Sequence, residues 1–554
     1  MVWRMRWQTV VGCAALSLFT AVHAPAARAE RVWLAPVKLP GAAGGAFAQV
    51  AVNARGDAAA VWQGRRGGGG TSSTYVQGAV RRSGGLWRSA VRLSPEGVSA
   101  SSPRVGLGDA GEPVAVWRGL DDASTSVHGG AFGSPSLGHP SIGLLASDAD
   151  VRNPFARAQI AVDARGGALA VWDRDHIGGV RSSFRPQGGR WQPAIELAAH
   201  GGAAQIAVNP RGDAIAAWQG FSGVQVATRP AGGDWQAAIG VSAAGDYALE
   251  PQVAIDRHNN AVVAWTSLFE ERPKVRAATM TATGGWQSPT ELTAGRAGGT
   301  PHVAMDGEGN AFAVWKSLDG SSVVRSSVRP AGTATWQTPV RLSAPGADAS
   351  APQVAVDAKG AAIAIWDRDN NSITRVQAAR RPAGGTWQAP VNLSGRTPAF
   401  SARVALDARG RALALWGTSG GIVSAEYTTG PAIRALRIVP TTLGPSRRAR
   451  VRYALNTSAR VRFTLERAAP GRRDGSRCVK QNRDNRYANQ RCIRWLAVPG
   501  GFTRTRRAGT DRFVLTARGP TGIDLRPGQY KLAASPVSGR QAGRQARVSF
   551  RIAR

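Results

Sequence analysis

Cysteine, lysine and histidine are scarce in this chain of 554 residues, with three, six and seven of each. Cys13 falls in an apolar N-terminal run, which leaves Cys478 and Cys492 downstream. Two cysteines are too few for a disulfide-dense scaffold, and an even pair in an oxidising compartment reads as one bridge. That bridge would close a loop of about 15 residues and contribute roughly 3 kcal/mol in the chain-entropy picture. The histidines show no H-E-x-x-H or comparable ligand spacing, so no zinc motif is present and no cofactor is called for. Long apolar runs are also missing after residue 29, where nothing approaches the roughly 20 residues a membrane helix needs.

At the N-terminus Arg4 and Arg6 precede an apolar stretch from Val10 to Val22, followed by Ala27-Arg28-Ala29. A basic start, an apolar run and an A-x-A site are the marks of a secretory signal peptide over residues 1–29. The expectation is an exported protein, secreted or associated with the cell envelope, with no membrane span in the mature chain.

Acidic residues number 35 against 70 basic ones, a net charge of +35. The imbalance is uneven, because residues 433–554 hold 29 arginines and lysines against five aspartates and glutamates. Arginine-favouring codons are the plain reading of this bias. The functional reading is attraction to a polyanion such as an anionic envelope polymer, without specific nucleic-acid recognition.

What the chain has in abundance is glycine, 68 residues, and a repeat that recurs eight times. Its clearest copy runs from Pro352 to Ser394, and a marker tryptophan falls at positions 62, 117, 172, 218, 265, 315, 366 and 416. A period near 50 residues made of short strands is the signature of a propeller array. The full pattern is four strands: Q-V-A-V, a D-x-x-G turn, an apolar strand ending at the marker, a more polar strand into R-P-x-G-G, and W-Q-x-P-V-x-L. The second copy lacks the second tryptophan, which leaves seven blades plus a degenerate unit as the alternative to eight. Val–Ala alternation predicts first and second strands buried on both faces. Trp33–Leu39 is an orphan fourth strand, and the last copy lacks one. The fold class is therefore all-β: an eight-bladed β-propeller over residues 30–430 closed by the N-terminal strand, then a small basic Ig-like β-sandwich over 431–554. In the tail, Arg450–Leu455, Arg460–Leu465, Arg512–Thr516, Tyr530–Ala533 and Arg547–Ile552 alternate as half-buried strands do.

The two tail cysteines and Leu525–Leu532 (L-R-P-G-Q-Y-K-L) resemble the Ig-like tails of secreted actinobacterial proteins. The repeats are similar to secreted actinobacterial β-propeller repeat proteins. These resemblances imply fold and location, and no functional residue comes with them.

Most short motifs dissolve in the repeat. Arg55-Gly56-Asp57 and Arg211-Gly212-Asp213 lie in the recurring D-x-x-G turn, and Gly417–Gly421 matches G-x-S-x-G between two strands rather than at a strand–helix elbow. The loops that differ between copies share one face, where binding sites concentrate. Candidate ligand-binding residues there are Asp121, Asp122, Asp148, Asp150, Asp173, Asp175, His176, Glu270, Glu271, Asp367 and Asp369. The D-R-D pairs Asp173/Asp175 and Asp367/Asp369 have the oxygen chemistry of a calcium site, with solvated loop charge as the simpler reading. The expected function is a non-catalytic binding or adhesion protein whose propeller face recognises a glycan or surface polymer. The alternatives are a carbohydrate-active enzyme, hydrolase or lyase, on the same face, or a structural envelope protein without ligand.

Overall fold

The computed structural model describes residues 31–553, except 35, 67–72, 121–124, 134–140, 147–157, 174–177, 244, 269–270, 371–372, 396, 429, 432, 445–447, 456–458, 475–476, 484, 486–489, 508, 518–523, 539–540 and 544. The segment that carries the signal-peptide expectation lies outside the described residues. All regular structure among the described residues is β, and the chain divides into a unit spanning Val32–Thr428 and a second holding Thr429–Arg554.

The first unit is β-propeller-like. Eight antiparallel sheets follow one another along the chain; seven are built on four strands in sequence order, and the last joins three consecutive strands to two N-terminal ones. The second strand of each sheet is the most deeply buried, as in Ala168–Asp173, Ala261–Ser267 and Ala412–Thr418. All eight marker tryptophans are at most 1% exposed and form the anchor of each sheet's core. Their ring N–H groups find partners where the sequence supplies them: Trp218 Nε1 donates to Gln225 Oε1 (3.0 Å) and Trp265 Nε1 to Asp246 Oδ2 (2.8 Å).

The D-x-x-G turn works as its residue types require. Asn53 Oδ1 accepts from the N–H groups of Arg55 (3.1 Å) and Asp57 (2.9 Å), a side chain bonding its own turn. The glycine position needs a left-handed backbone, with φ 88° at Gly56, and Asn259 takes the same role at φ 70°. Both R-G-D aspartates are structural. Asp57 Oδ1 accepts from Ser83 N–H (2.9 Å) and Asp213 Oδ1 from Ala231 N–H (3.0 Å), each fastening its turn to the neighbouring hairpin.

Two expectations need correction. The first strands are half-exposed rather than buried on both faces, as in Gln159–Val162, because one of their faces borders a cavity. The fourth strands are mostly reduced to two paired residues, such as Val91–Arg92 and Val391–Asn392. The shortening does not depend on proline, since Ala90 precedes Val91 where Pro390 precedes Val391.

The N-terminal strand pairs where its sequence was left over. Val32–Trp33 and Val37–Lys38 both run antiparallel to Gly421–Thr428 in the last sheet. The first and last sheets also meet directly: Arg81 pairs with Glu426, and Trp87 Nε1 donates to Ser424 Oγ (3.1 Å).

In the second unit a three-stranded sheet (Ile433–Val439, Arg448–Leu455, Gly509–Thr516) and a larger sheet around Ala459–Asp474 share one core. Tyr453, Phe463, Phe502 and Phe513 cluster there, with Phe463 and Phe513 edge-to-face at 4.9 Å between centroids. Cys478 and Cys492 form a disulfide across Ala459–Asp474, opposite Arg473 and Gly471 respectively. A side chain at Gly471 would meet Cys478 Sγ at 2.7 Å, so glycine is what lets the bridge cross this strand. Replacing both cysteines by serine is expected to lower this unit's unfolding midpoint, with a loss of about 3 kcal/mol for a loop of this length. Calorimetry of the double variant beside the reduced parent protein checks it, since both should show the same shift.

Candidate functional site

A cavity of about 1120 Å³ opens among the first strands of all eight sheets. Its wall is built from one repeat position: Gln49, Arg104, Gln159, Gln205, Gln252, His302, Gln353 and Arg403 stand at equivalent places in the eight copies, and all line the cavity. A residue type that packs a sheet would be apolar here. The repeat instead supplies amides in five copies, guanidinium groups in two and an imidazole in one.

The backbone leading to this ring is strained in a repeated way. Two residues before the ring position, Phe47, Ser102, Ala203, Glu250, Thr300, Ala351 and Ser401 all have φ between 49° and 57°. Each sits at a register shift between its first and second strands, such as Leu249/Gln252 and Gly299/His302. A non-glycine residue in this region costs on the order of 1–3 kcal/mol, and such bulges re-aim side chains beside functional sites.

The bulges explain two of the acidic candidates. Asp173 accepts from Ala203 N–H and Ala204 N–H in the next sheet, both at 3.0 Å. Asp367 does the same for Ser401 N–H (2.7 Å) and Ala402 N–H (3.3 Å). Burial pushes the Asp367 carboxyl above its ordinary range, against these two amides and Arg403, which lower it. Both carboxylates are thus occupied by backbone. Asp369 is exposed and accepts from Thr374 Oγ1 (3.3 Å), and Glu271 is exposed. Asp121, Asp122, Asp148, Asp150, Asp175, His176 and Glu270 lie outside the described residues. Among the described residues no group of three or more His, Cys, Asp or Glu side chains could hold a metal ion.

His302 is the one imidazole among the eight ring positions. Burial, with Arg403 adding to it, lowers its pKa from 6.5 to about 4, so the imidazole is neutral near pH 7. Val354 N–H points at Nδ1 at 3.4 Å, which leaves the ring proton on Nε2. Arg104 Nε donates to Gln159 Oε1 (3.0 Å) and Arg403 Nη1 to Ala402 O (2.9 Å), fixing both guanidinium groups along the wall. At the rim Phe221 and Tyr247 are 75% and 60% exposed. The unfolded chain binds a proton at His302 more readily than the folded one, so its stabilising contribution is complete above pH 6.5. It is lost as the pH falls from 6.5 to about 4. His302→Gln is expected to flatten thermal-midpoint-against-pH curves in that window, and an unchanged curve would remove His302 from the buried titrating set.

These ring residues were not among the candidates read from the sequence. Their signal was present: a polar residue recurring at one position of an otherwise apolar strand.

No family model and no curated sequence matches the chain. Solved structures with some likeness to it include a fungal alcohol oxidase of the AA5 family in complex with copper (13% identity, TM-score 0.37, 94% of this chain and 99% of that one). Others are a Penicillium chrysogenum α-L-arabinanase complexed with arabinobiose (10%, 0.36, 72% and 98%) and a PL25 ulvan lyase bound to -[GlcA(1-4)Rha3S]- (9%, 0.39, 71% and 95%). The expectation of a non-catalytic binding protein is corrected on this finding, because the similar structures include an arabinanase and polysaccharide lyases. At these TM-scores no residue of theirs is carried over to this chain.

Proposed function

We propose that this protein is a carbohydrate-active enzyme that cleaves an anionic polysaccharide by β-elimination at the cavity between the eight sheets. The observation that carries it is the presence of two guanidinium groups, Arg104 and Arg403, and a neutral histidine, His302, in the lining of one cavity. Elimination from a uronate needs its carboxylate neutralised, because the proton removed sits on the carbon beside it. A base takes that proton, its electron pair forms the new carbon–carbon double bond, and the glycosidic oxygen leaves and is protonated. Arg104 and Arg403 supply the neutralising charge, His302 a fixed N–H donor, and Tyr247 at the rim a phenol that can exchange a proton. The exposed rings of Phe221 and Tyr247 offer flat apolar surface to the C–H face of a pyranose. Hydrolysis would call for two carboxyl groups flanking the bond. Of the two described carboxylates on the cavity, Asp173 is held by two amides and Glu250 sits on the exposed rim.

In this reading the eight sheets form a closed eight-bladed propeller, supported by the pairing of Val32–Lys38 with the last sheet, and the tail is an Ig-like sandwich, supported by its two sheets around one core. The reading also makes the protein an exported one, supported by the N-terminal sequence pattern and the disulfide. The test is incubation with a polyuronate, a sulfated polyuronate and a neutral arabinan. Unsaturated, ultraviolet-absorbing ends from a uronate polymer are expected. Reducing ends without unsaturation would make the enzyme a hydrolase, and no product from any of the three would remove the reading.

A further inference from the structure

The outward face of the three-stranded sheet in the second unit carries arginines in a row. Register places Arg437 opposite Arg452, and Arg452 opposite Arg512, so three guanidinium groups stand side by side across the sheet. Neighbouring strands are about 4.8 Å apart, and like charges directly opposite each other destabilise a sheet. Arg448 and Arg450 continue the same face along the central strand, and all five side chains are exposed. Among the described residues no ion pair engages any of the five. Two of the unit's five acidic groups are turned to other uses: Asp511 is bonded by Tyr453, Arg504 and Arg506 on the opposite side of its strand, and Glu466 pairs with Arg547.

We propose that this face is a second binding surface, on which an acidic polysaccharide lies with its carboxylate or sulfate groups against the arginine row. Charge complementarity selects a polyanion, and guanidinium groups match carboxylate and sulfate oxygens in bidentate fashion. The apolar residues between the arginines select the polymer. Val439 and Val514, which flank Arg450, are 63% and 52% exposed, and both are aliphatic. Single-stranded nucleic acid is held by aromatic side chains on which bases stack, and this face presents none among its described residues. The repulsion within the row then has a counterpart: it is relieved when the polymer binds.

The test uses the full chain on immobilised alginate across a salt series, with dextran and single-stranded DNA as further probes. Arg437→Thr/Arg452→Thr/Arg512→Thr is compared with Arg473→Thr/Arg483→Thr/Arg491→Thr, which removes equal charge elsewhere in the same unit. The row variant is expected to lose at least tenfold in alginate affinity at low salt and to keep or raise its thermal midpoint, a gain that shrinks as salt rises. The control variant should lose less than twofold. Equal losses in both, or unchanged retention of the row variant, would overturn the surface. Tighter binding to DNA than to alginate, lost in the row variant, would overturn the polysaccharide. If the triple variant unfolds, Arg512→Thr alone should still weaken alginate binding severalfold, and no change there overturns the proposal. Failure of the cavity reading shows separately, as retention on alginate without unsaturated product.

Discussion

Arg403→Ala is expected to lower turnover of a uronate polymer by about 10²–10³-fold while leaving the thermal midpoint close to that of the parent, as removal of one preorganised charge-stabilising donor does. Charge on the uronate grows as the neighbouring proton leaves, so the guanidinium acts more strongly on the transition state than on bound substrate. The loss should therefore appear in kcat and in kcat/KM alike. Arg403→Lys keeps the charge without the planar fork and should recover part of the activity. A second readout separates this role from packing. Arg403 helps to hold the His302 pKa near 4, so its removal should shift that titration upward, visible by nuclear magnetic resonance of the imidazole. A rise in KM alone, or no kinetic change, would mean that Arg403 binds substrate or merely lines the wall.

Removing residues 31–40 is expected to be the most damaging change to the first unit. Leu34 and Leu39 are 7% and 1% exposed, and each buried leucine is worth about 1.5–3 kcal/mol. Trp33 packs on Tyr427 with ring centroids 5.4 Å apart. Leu34 N–H and Leu39 N–H donate to Glu426 O (2.8 Å) and Ile422 O (2.9 Å), so the last sheet would lose its outer partner and expose an edge. A fall in midpoint of roughly 10 °C follows from losses of this size in a large domain. Aggregation through the bare edge should accompany it, and a peptide of the sequence Trp33–Leu39 added in trans should restore part of the stability. An unchanged midpoint would show that the last sheet holds without this strand.

The repeat made the eight sheets legible because one chemical demand recurs eight times. A tryptophan lies in each buried second strand, an aspartate or asparagine bonds its own turn in all copies but the second, which has Gly108, and a glycine or Asn259 takes the positive φ that follows. The orphan Trp33–Leu39 and the missing last fourth strand also matched, since a strand's pairing groups must be satisfied somewhere. The first strands were misread for a physical reason. Val–Ala alternation looks the same on a strand packed on both faces and on one whose second face borders a cavity, and only the neighbouring sheets distinguish the two.

The site was legible in part. Loop variation drew attention to acidic loop residues, and the polar position that recurs along the first strands was passed over. Asp173 and Asp367 look like ligands along the chain because nothing nearby in sequence satisfies them. Their partners, the amides of residues 203–204 and 401–402, lie some 30 to 35 positions away.

By itself, the sequence determined the strand content, the number of repeats, the turn chemistry, the cysteine pair and the uneven charge. These depend on short-range residue chemistry and on counting. Only the tertiary structure decided that eight equivalent positions converge on one cavity, that two carboxylates are committed to backbone, and that Arg437, Arg452 and Arg512 stand abreast. Those facts depend on which residues face each other across sheets, and long-range register has no local signature in the chain.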